Sequence, residues 1–333
     1  MKISNSSILI TGGTGSFGKA MVSKLLKNYP NIKRLVIFSR DELKQDQMND
    51  EFPKEKYKNL RYFIGDVRDY QRLLRALDGI EIIIHAAALK QVPAAEYNPI
   101  EFIKTNVLGA QNIIEAAIEK KVKKVIALST DKACSPINLY GASKLCSDKL
   151  FVAANSYAGR YGIFSVVRYG NVMGSRGSII PKFLEQAKKG TLNVTDPNMT
   201  RFNITLKDSV KMVLFALENM KGAEILVPKI PSYKIIDLAK SIGPNCKIKV
   251  IGVRPGEKIH EEMISESDSF TTFDIGDYYI ILPAQNKSLI GRYKKFNIKK
   301  VQPNFRYASG TNSKFLNIKE LRFLIKNYVK NYR

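Results

Sequence analysis

TGGTGSFG, residues 11–18, determines the predicted architecture of this chain. It follows the apolar run Ser7–Thr11, which reads as a buried strand, and it opens residues 17–28, whose apolar spacing is helical. Glycines at positions 12, 15 and 18 let the backbone turn tightly and bring amide groups close to a pyrophosphate at the positive end of the helix. A loop of this kind between a strand and a helix predicts a dinucleotide-binding βαβ unit.

Outward from this loop, short apolar runs alternate with helical patterns through about residue 170. Further strands are predicted at 34–39, 60–64, 81–85, 124–129 and 164–168, and helices at 98–120 and 139–156. Such alternation is typical of an α/β fold with a doubly wound parallel sheet covered on both faces. Later, a helix at 208–220 and a strand at 224–227 are predicted to return to the sheet, and a final helix begins at about 317.

The same pattern divides the chain into three predicted parts. Residues 1–170 with about 204–228 form an extended Rossmann-fold dinucleotide-binding domain. Residues of about 171–203 and 229–285 form a smaller C-terminal α/β substrate-binding domain over the carboxyl ends of the strands. Residues 286–333 form a basic segment with a terminal helix, which carries 13 Lys or Arg against one acidic residue.

Composition excludes several classes of protein. The longest apolar stretches are far shorter than the roughly 20 residues of a membrane span, and the polar start predicts no signal peptide. Three cysteines without metal spacing and only two histidines predict no metal site and a reducing, cytoplasmic location. The net charge of +24 comes without a nucleic-acid-binding motif, so solvated lysine-rich faces are favoured over a nucleic-acid partner.

The end of the second predicted strand indicates which dinucleotide binds. An NAD enzyme usually places an acidic residue there for the ribose 2′-hydroxyl. This chain has Ser39-Arg40 followed by Lys44, and a guanidinium suits the 2′-phosphate of NADP. Asp41 and Glu42 keep NAD open as an alternative. After the third strand, Asp66 and Val67 are expected to contact adenine or to cap the next helix.

Tyr140 and Lys144 form a YxxxK motif at the start of a predicted helix. A spacing of four places both side chains on one helical face. We expect the nearby ammonium to lower the pKa of the Tyr140 phenol, so that it acts as a base near neutral pH. By itself the motif is common and consistent with a packed helix face, but the upstream dinucleotide loop favours the catalytic interpretation.

With these motifs the chain resembles the extended short-chain dehydrogenase/reductase family, and within it the branch of inverting UDP-N-acetylglucosamine 4,6-dehydratases that opens pseudaminic acid synthesis. The residues that carry the resemblance run through nearly the whole chain: TGGTGSFG (11–18), SRDELKQ (39–45), GDVRD (65–69), HAAALKQVPAAEYNP (85–99), KTNVLGAQN (104–112), LSTDKA (128–133), NLYGASK (138–144), RYGNVMGSRGS (168–178), TDPNMTRF (195–202) and GVRPGEKIHE (252–261).

The resemblance implies a role for each residue of the reactive centre. Tyr140 takes the proton of the sugar 4-hydroxyl while hydride leaves C4 for NADP, and Lys144 supports it. Lys132 removes the C5 proton, and Asp131, held protonated, helps the 6-hydroxyl to leave as water. Hydride then returns to C6 and C5 is reprotonated from the opposite face, with Thr130 hydrogen-bonded near C4.

The resemblance also implies the binding residues, with UDP-N-acetylglucosamine as partner and a homo-oligomer as assembly. Expected at the substrate are Lys90, Thr130, Asn171, Arg176, Arg201, Arg254 and Glu257. Expected at the cofactor are Gly12, Thr14, Gly15, Ser16, Phe17, Gly18, Ser39, Arg40, Asp41, Glu42, Leu43, Lys44, Asp66, Val67, Ala86, Lys90, Leu128, Ser129, Tyr140, Lys144 and Val172.

Two departures from the branch bear on the sugar. Gln91 replaces a common histidine and Asn203 stands where an aromatic residue is usual, so the sugar preference could differ if these positions line the pocket. Three interpretations therefore stay open: the inverting dehydratase, a retaining dehydratase or C5 epimerase, and a non-catalytic NADP-sensing or scaffold protein. Intact YxxxK and Thr130-Asp131-Lys132 motifs favour an enzyme, and Lys132 favours the inverting one.

Overall fold

The structure is a computed structural model that describes residues 3–159, 161–175, 177–284 and 288–329. The strands are β1 Ser7–Thr11, β2 Arg34–Ser39, β3 Leu60–Ile64, β4 Ile82–His85, β5 Lys124–Thr130, β6 Ile163–Tyr169, β7 Asn171–Val172, β8 Thr191–Val194, β9 Thr200–Ile204, β10 Ile225–Pro228, β11 Ser232–Lys234, β12 Lys247–Val250, β13 Glu262–Ile264, β14 Thr272–Asp274, β15 Tyr278–Ile281, β16 Lys299–Lys300 and β17 Tyr307–Ala308.

Helices cover both faces of the main sheet and build much of the smaller lobe. They are α1 Ser16–Asn28, α2 Glu42–Glu51, α3 Tyr70–Ala76, α4 Val92–Tyr97, α5 Pro99–Phe102, α6 Gly109–Glu119, α7 Leu139–Tyr157, α8 Ile179–Ala187, α9 Leu206–Asn219, α10 Ile235–Ile242, α11 Glu266–Ser269, α12 Ser288–Gly291 and α13 Ile318–Tyr328. A π-helical turn at Ile103–Leu108 joins α5 to α6, and short 3₁₀ turns lie at Asp131–Ala133 and Lys294–Phe296.

The central sheet has the order β16-β14-β15-β10-β6-β5-β4-β1-β2-β3. The strands from β10 to β3 pair in parallel, and β15, β14 and β16 extend the sheet antiparallel beyond β10. Strand order reverses between β1 and β4, and ligands of open α/β sheets bind at the carboxyl ends of strands beside such a reversal. The predicted α/β class with its large parallel sheet is confirmed.

Most predicted elements of the first 170 residues lie where the hydrophobic pattern placed them. The bounds of β1, β2 and β3 match residue for residue. β1 and β2 are apolar runs buried in the parallel sheet, and β3 is a short, largely apolar run at its edge. The single helix predicted at 98–120 is wrong, because the π-helical turn interrupts it. That wide turn directs Asn106 inward, where it hydrogen-bonds the backbone of Leu89 and the hydroxyl of Ser143.

A smaller lobe stands over the carboxyl ends of the strands. Its buried apolar cluster includes Phe183 on α8, Leu192 on β8, Leu238 on α10 and Leu321 on α13. The basic C-terminal segment therefore contributes its helix to this core instead of lying apart from it. The predicted boundary of 229–285 differs from the structure, since β14 and β15 pair with the central sheet.

Within the described residues, no helix combines the length and apolarity that a membrane crossing requires.

Candidate active site

A cavity of about 920 Å³ lies between the carboxyl ends of the parallel strands and the smaller lobe. The glycine loop after β1 borders one end, and residues that follow β4, β5 and β6 form its floor. Side chains from β9 and from the loop at 254–261 close it from the side of the smaller lobe. One continuous cavity thus connects the dinucleotide loop with the residues predicted to be catalytic.

The glycine loop is built for close backbone packing. Gly12 has a φ of +62°, and a Cβ there would lie 2.9 Å from the backbone of Ala87. A Cβ on Gly18 would overlap the carbonyl oxygen of Gly13. The N-cap of α1 is Gly15, which has no side chain that could accept a hydrogen bond from the first turn. The amides of that turn therefore face the cavity without intrahelical acceptors. This arrangement suits a pyrophosphate.

A buried hydrogen-bond network fixes the loop against the end of β4. The hydroxyl of Thr11 accepts from the backbone N–H groups of Ala86 and Ala87, both at 3.1 Å. Because its two lone pairs are used in this way, the hydroxyl donates to Nδ1 of His85 at 2.8 Å. Burial, together with the charge of Lys144, lowers the pKa of His85 to about 3. His85 is therefore neutral and acts as an acceptor.

The residues after β2 are arranged around the N-terminus of α2. The carboxylate of Asp41 accepts from the backbone N–H of Lys44 at 3.0 Å and pairs with the ammonium of the same residue. Arg40 is half exposed and lies 3.5 Å from Asp66. Burial acts to raise the pKa of Asp66, but hydrogen bonds from Arg68 and the charge of Arg40 hold it below its usual value. Asp41 thus caps the N-terminus of α2. The guanidinium of Arg40 is therefore the more prominent charge in the part of the cavity that follows β2.

The reactive cluster follows β5. The hydroxyl of Thr130 donates to Oδ1 of Asp131 at 3.0 Å, and the Nζ of Lys132 lies 3.1 Å from the same oxygen. Asp131 is fully buried, and its Oδ2 has no hydrogen-bond partner. Lys132 keeps 22% of its side chain exposed, toward the cavity. The chain thus presents an amine to the cavity and holds a carboxyl group directly beneath it.

Glu261 completes this cluster from the smaller lobe. Its Oε1 lies 3.0 Å from the Nζ of Lys132 and 3.8 Å from the Nε of Arg201, and its side chain is 2% exposed. Arg201 is buried and donates to the carbonyl oxygens of Thr200 and Ile259. The Nζ of Lys132 also lies 3.4 Å from Oδ1 of Asn171. A lysine from one lobe is therefore tied to a carboxylate of the other across the cavity.

Burial and mutual charge set the proton affinities of the cluster. Burial is the main cause that raises the pKa of Asp131, and the charge of Glu261 adds to it. Burial alone would lower the pKa of Lys132, but the charges of Asp131 and Glu261 raise it above its usual value. Burial acts to raise the pKa of Glu261, but Lys132 and Arg201 hold it low. Glu261 is the carboxylate of the group, whereas Asp131 has the higher affinity for a proton.

Tyr140 and Lys144 lie on α7, whose first turn Asn138 caps through a hydrogen bond from the N–H of Gly141 at 2.8 Å. Both line the cavity. The expectation that Lys144 lowers the pKa of Tyr140 is wrong for the protein by itself. Burial raises the pKa of Tyr140 to about 12, and the cation that opposes this rise is Lys132. Burial also lowers the pKa of Lys144.

A family model described as polysaccharide biosynthesis protein matches residues 8–283. The chain belongs to this family. The match covers the glycine loop, the reactive cluster and the contact from the smaller lobe. Membership also agrees with the expected extended short-chain dehydrogenase/reductase architecture, which the sheet order displays.

Two curated relatives and one solved structure show what the chain is similar to. The chain is 53% identical over 329 residues, 96% of each sequence, to a UDP-N-acetylglucosamine 4,6-dehydratase (inverting) of Campylobacter jejuni. It is 44% identical over 336 residues, 97% of this chain and 96% of the relative, to a UDP-glucose 4-epimerase of Rickettsia canadensis. Among solved structures, Pen from Bacillus thuringiensis superimposes with a TM-score of 0.88 at 38% identity, covering 98% of this chain and 99% of that one.

Most of the residues predicted from sequence line the cavity of this family member. They are Gly12, Thr14, Gly15, Ser16, Phe17, Gly18, Ser39, Arg40, Asp41, Lys44, Asp66, Val67, Ala86, Lys90, Leu128, Ser129, Thr130, Lys132, Tyr140, Lys144, Asn171, Val172, Arg201, Arg254 and Glu257. Within this set Arg254 and Glu257 pair with each other at 2.5 Å.

A few predicted residues lie elsewhere. Glu42 and Leu43 sit in the first turn of α2 and are absent from the cavity lining, and the Leu43 side chain is 65% exposed. Asp131 lies beneath the lining, while Arg176 falls outside the described residues. Of the two departures from the dehydratase branch, Gln91 lines the cavity, whereas Asn203 is buried on β9 away from it.

Sequence reasoning missed Glu261. No cluster of potential metal ligands among the described residues includes it. Glu261 is the last residue of the stretch 252–261 that carries the family resemblance, and it precedes β13. Only the folded chain shows that it meets Lys132.

Proposed function

We propose that this protein is an inverting UDP-N-acetylglucosamine 4,6-dehydratase that depends on NADP. The product would be UDP-2-acetamido-2,6-dideoxy-β-L-arabino-hex-4-ulose, which feeds pseudaminic acid synthesis. One observation carries the proposal: an amine and a buried carboxyl group, Lys132 and Asp131, lie 3.1 Å apart where the dinucleotide cavity meets the smaller lobe. A 53% identical relative that bears this activity by name supports it.

The residues of the cavity fit a nicotinamide dinucleotide. Gly15 and the first turn of α1 would hold the pyrophosphate, and Arg40 would pair with the 2′-phosphate of NADP. A dinucleotide held there would supply the hydride chemistry, from C4 and back to C6 of the sugar, and its oxidised form would add positive charge to the cavity. Because Asp41 already caps α2, it competes poorly as a ligand for a ribose hydroxyl, and NADP is favoured over NAD.

Tyr140 would hold the proton of the sugar 4-hydroxyl. With a pKa of about 12 its phenol is protonated in the protein alone, so added positive charge is what makes it a base. The charge of Lys132 acts in that direction, and Thr130 would do so as well when its single O–H turns from Asp131 to the phenolate. Lys144 lies one helical turn away from Tyr140 on the same face of α7, so its amine adds a second polar group beside the phenol.

Asp131 and Lys132 would carry out the elimination with one shared proton. In its neutral form the amine of Lys132 takes the C5 proton, and protonated Asp131 gives its proton to O6, which leaves as water. The pair then stands as ammonium and carboxylate, and transfer of one proton across 3.1 Å restores both reactive forms. The proton that reaches C5 from the opposite face is balanced by the one released from the 4-hydroxyl. No proton is gained or lost in the complete cycle.

A UDP-glucose 4-epimerase is the second candidate, because relatives with that name are 44–46% identical to this chain. Both reactions begin with oxidation at C4. An epimerase, however, returns hydride to C4 and needs neither a base at C5 nor an acid at O6. The buried Asp131–Lys132 pair therefore favours the dehydratase.

Proton NMR of the product from UDP-N-acetylglucosamine tests the proposal. We expect a C6 methyl signal, a 4-keto sugar and ring couplings of the C5-inverted configuration. A 4-epimer with intact C6 would establish the epimerase, and a methyl signal with retained C5 couplings would establish a retaining dehydratase. Unchanged substrate with bound NADP would favour a sensing or scaffold role.

We further propose a homo-oligomer in the cytoplasm, which sedimentation of the purified protein and cell fractionation would test.

A further inference from the structure

The mechanism above gives no task to Glu261, although this side chain is among the most enclosed in the cavity wall. Its Oε1 faces the Nζ of Lys132 at 3.0 Å, and its Oε2 has no hydrogen-bond partner. An ionised carboxylate with a free oxygen in a buried position is costly unless positive charge compensates it. That charge comes from Lys132 and Arg201. The cost indicates that the contact with Lys132 serves more than packing.

We propose that Glu261 is a positioning residue for the C5 proton transfer, whose carboxylate holds the Nζ of Lys132 in place and strengthens Lys132 as a base. This inference rests on the proposed dehydratase function. When Lys132 acts, the C5–H bond breaks, a new N–H bond forms, and the electron pair moves toward the C4 carbonyl. Positive charge therefore develops on Nζ, 3.0 Å from Glu261, and a preorganised carboxylate stabilises it.

The orientation of Lys132 depends on contacts from three directions. Asp131 lies on one side at 3.1 Å, Glu261 on another at 3.0 Å, and Asn171 at 3.4 Å. Of these three, Glu261 lies farthest along the chain, directly before β13. The contact thus links the position of the base to a segment about 130 residues later in the sequence.

Several other groups contribute to the electrostatic environment of this contact. The charged and titratable side chains that act on Lys132, on Glu261 or on both, or that feel the charge of Lys132, are Asp131, Arg201, Lys90, Tyr140, Tyr233 and Lys258. Glu261 raises the proton affinity of both Asp131 and Lys132, the two groups that share the working proton. Removal of its charge should therefore lower both apparent pKa values of the pair.

The test is Glu261→Gln, which keeps the size of the side chain and removes its charge. We expect kcat for dehydration to fall at least about tenfold, and both limbs of the kcat–pH profile to move to lower pH by about one pH unit. The matched control is Glu262→Gln, since this buried neighbour pairs with Arg306 and Ser135 instead of Lys132. In the control the limbs should stay in place.

A fall in kcat with unmoved limbs would overturn the proposal, because loss of packing alone gives that result. If Glu261→Gln does not fold, as judged by its thermal melt, Glu261→Asp takes its place. A shortened carboxylate lies farther from Nζ, so kcat should fall and both limbs should move to lower pH by less than in Glu261→Gln. Unchanged kcat or unmoved limbs would contradict the proposal. A wild-type protein that makes no 4-keto-6-deoxy product would instead refute the proposed function itself, so the two failures are distinct.

Discussion

At the scale of single residues, the site depends on groups whose protonation departs from their ordinary behaviour. Asp131 has a raised pKa because it is buried, and Lys132 stays basic because two carboxyl groups face it. Each environment suits one half of an elimination: an acid that keeps its proton and an amine with a high affinity for one. The sequence could indicate the residue types, whereas only the fold supplies these environments.

Lys132→Met should separate the two chemical stages. Removal of the amine leaves Tyr140 and Lys144 in place but also removes the charge that opposes the rise in the pKa of Tyr140. Oxidation at C4 should therefore continue at a lower rate, while loss of the C5 proton stops. We expect dehydration to fall by at least about 100-fold, at the lower end of the range for a lost general base. Absorbance at the NADPH maximum should still rise on addition of substrate. Wild-type rates of methyl-sugar formation in this variant would refute the role of Lys132.

Asp131→Asn should block elimination while proton exchange at C5 continues. The amide keeps the size of the side chain but cannot give up a proton to O6. In deuterium oxide we expect deuterium at C5 of the recovered sugar nucleotide with little loss of O6, measured by mass spectrometry and NMR. Loss of both exchange and elimination would mean that Asp131 acts mainly on the position of Lys132.

Arg40→Ala tests the choice of dinucleotide. A charge-assisted contact is worth about 1.5–3 kcal/mol, so loss of the guanidinium should weaken NADP binding roughly ten- to 150-fold. NAD binding should change little, and titration calorimetry with both dinucleotides measures the difference. Equal weakening of both would place the role of Arg40 away from the 2′-phosphate.

At the scale of elements, the glycine loop illustrates what spacing can predict. Its three glycines predicted a tight turn, and at Gly12 and Gly18 the structure shows close backbone approach as the reason. The strands were predictable for a similar reason, since each is a continuous apolar run in a buried sheet. The π-helical turn was not, because its one extra residue per turn leaves the apolar pattern of 98–120 nearly unchanged.

Gly18→Ala should damage this element specifically. A Cβ at this position overlaps the carbonyl of Gly13, so the loop must shift. We expect the free energy of unfolding to drop by roughly 1–3 kcal/mol and dinucleotide affinity to fall with it. Chemical denaturation and calorimetry provide the two values.

The control for that substitution is Gly291→Ala, because a Cβ there meets no atom within 4 Å. Its unfolding free energy should stay within about 1 kcal/mol of the wild type. A destabilisation equal to that of Gly18→Ala would mean that the effect does not arise from crowding in the loop.

At the scale of the whole molecule, two lobes meet at the reactive cluster. Lys132 comes from the sheet and Glu261 from the segment that leads into the smaller lobe, about 130 residues later. A contact between residues so distant in sequence has no local signature, which explains why Glu261 escaped the sequence analysis. The sequence also does not predict that β14 and β15 join the central sheet. The sequences of such short antiparallel strands do not indicate which lobe they belong to.

The stability of the molecule should depend on pH through His85. Its folded pKa of about 3 lies below the value near 6.5 of an unfolded chain, so the unfolded state binds more protons between these limits. The contribution of the neutral, buried histidine is complete above about pH 6.5 and is lost progressively as the pH falls toward 3. We expect His85→Gln to reduce the slope of unfolding free energy against pH by about 1.4 kcal/mol per pH unit between about pH 6 and 4.

Denaturant titrations of the wild type and His85→Gln across this range measure the two slopes. Identical slopes would show that His85 binds its proton equally in the folded and unfolded chains. Such a result would contradict the hydrogen-bond arrangement in which Thr11 donates to the histidine.

The most direct measurement follows UDP-N-acetylglucosamine with the wild-type protein in deuterium oxide by NMR at early times. We expect a 4-keto sugar with one solvent deuterium at C5, an inverted C5 configuration, and a C6 methyl group that carries the hydrogen from C4. A product that keeps its original hydrogen at C5 would contradict a base at Lys132 acting on that carbon, and a labelled product that retains its configuration there would contradict inversion.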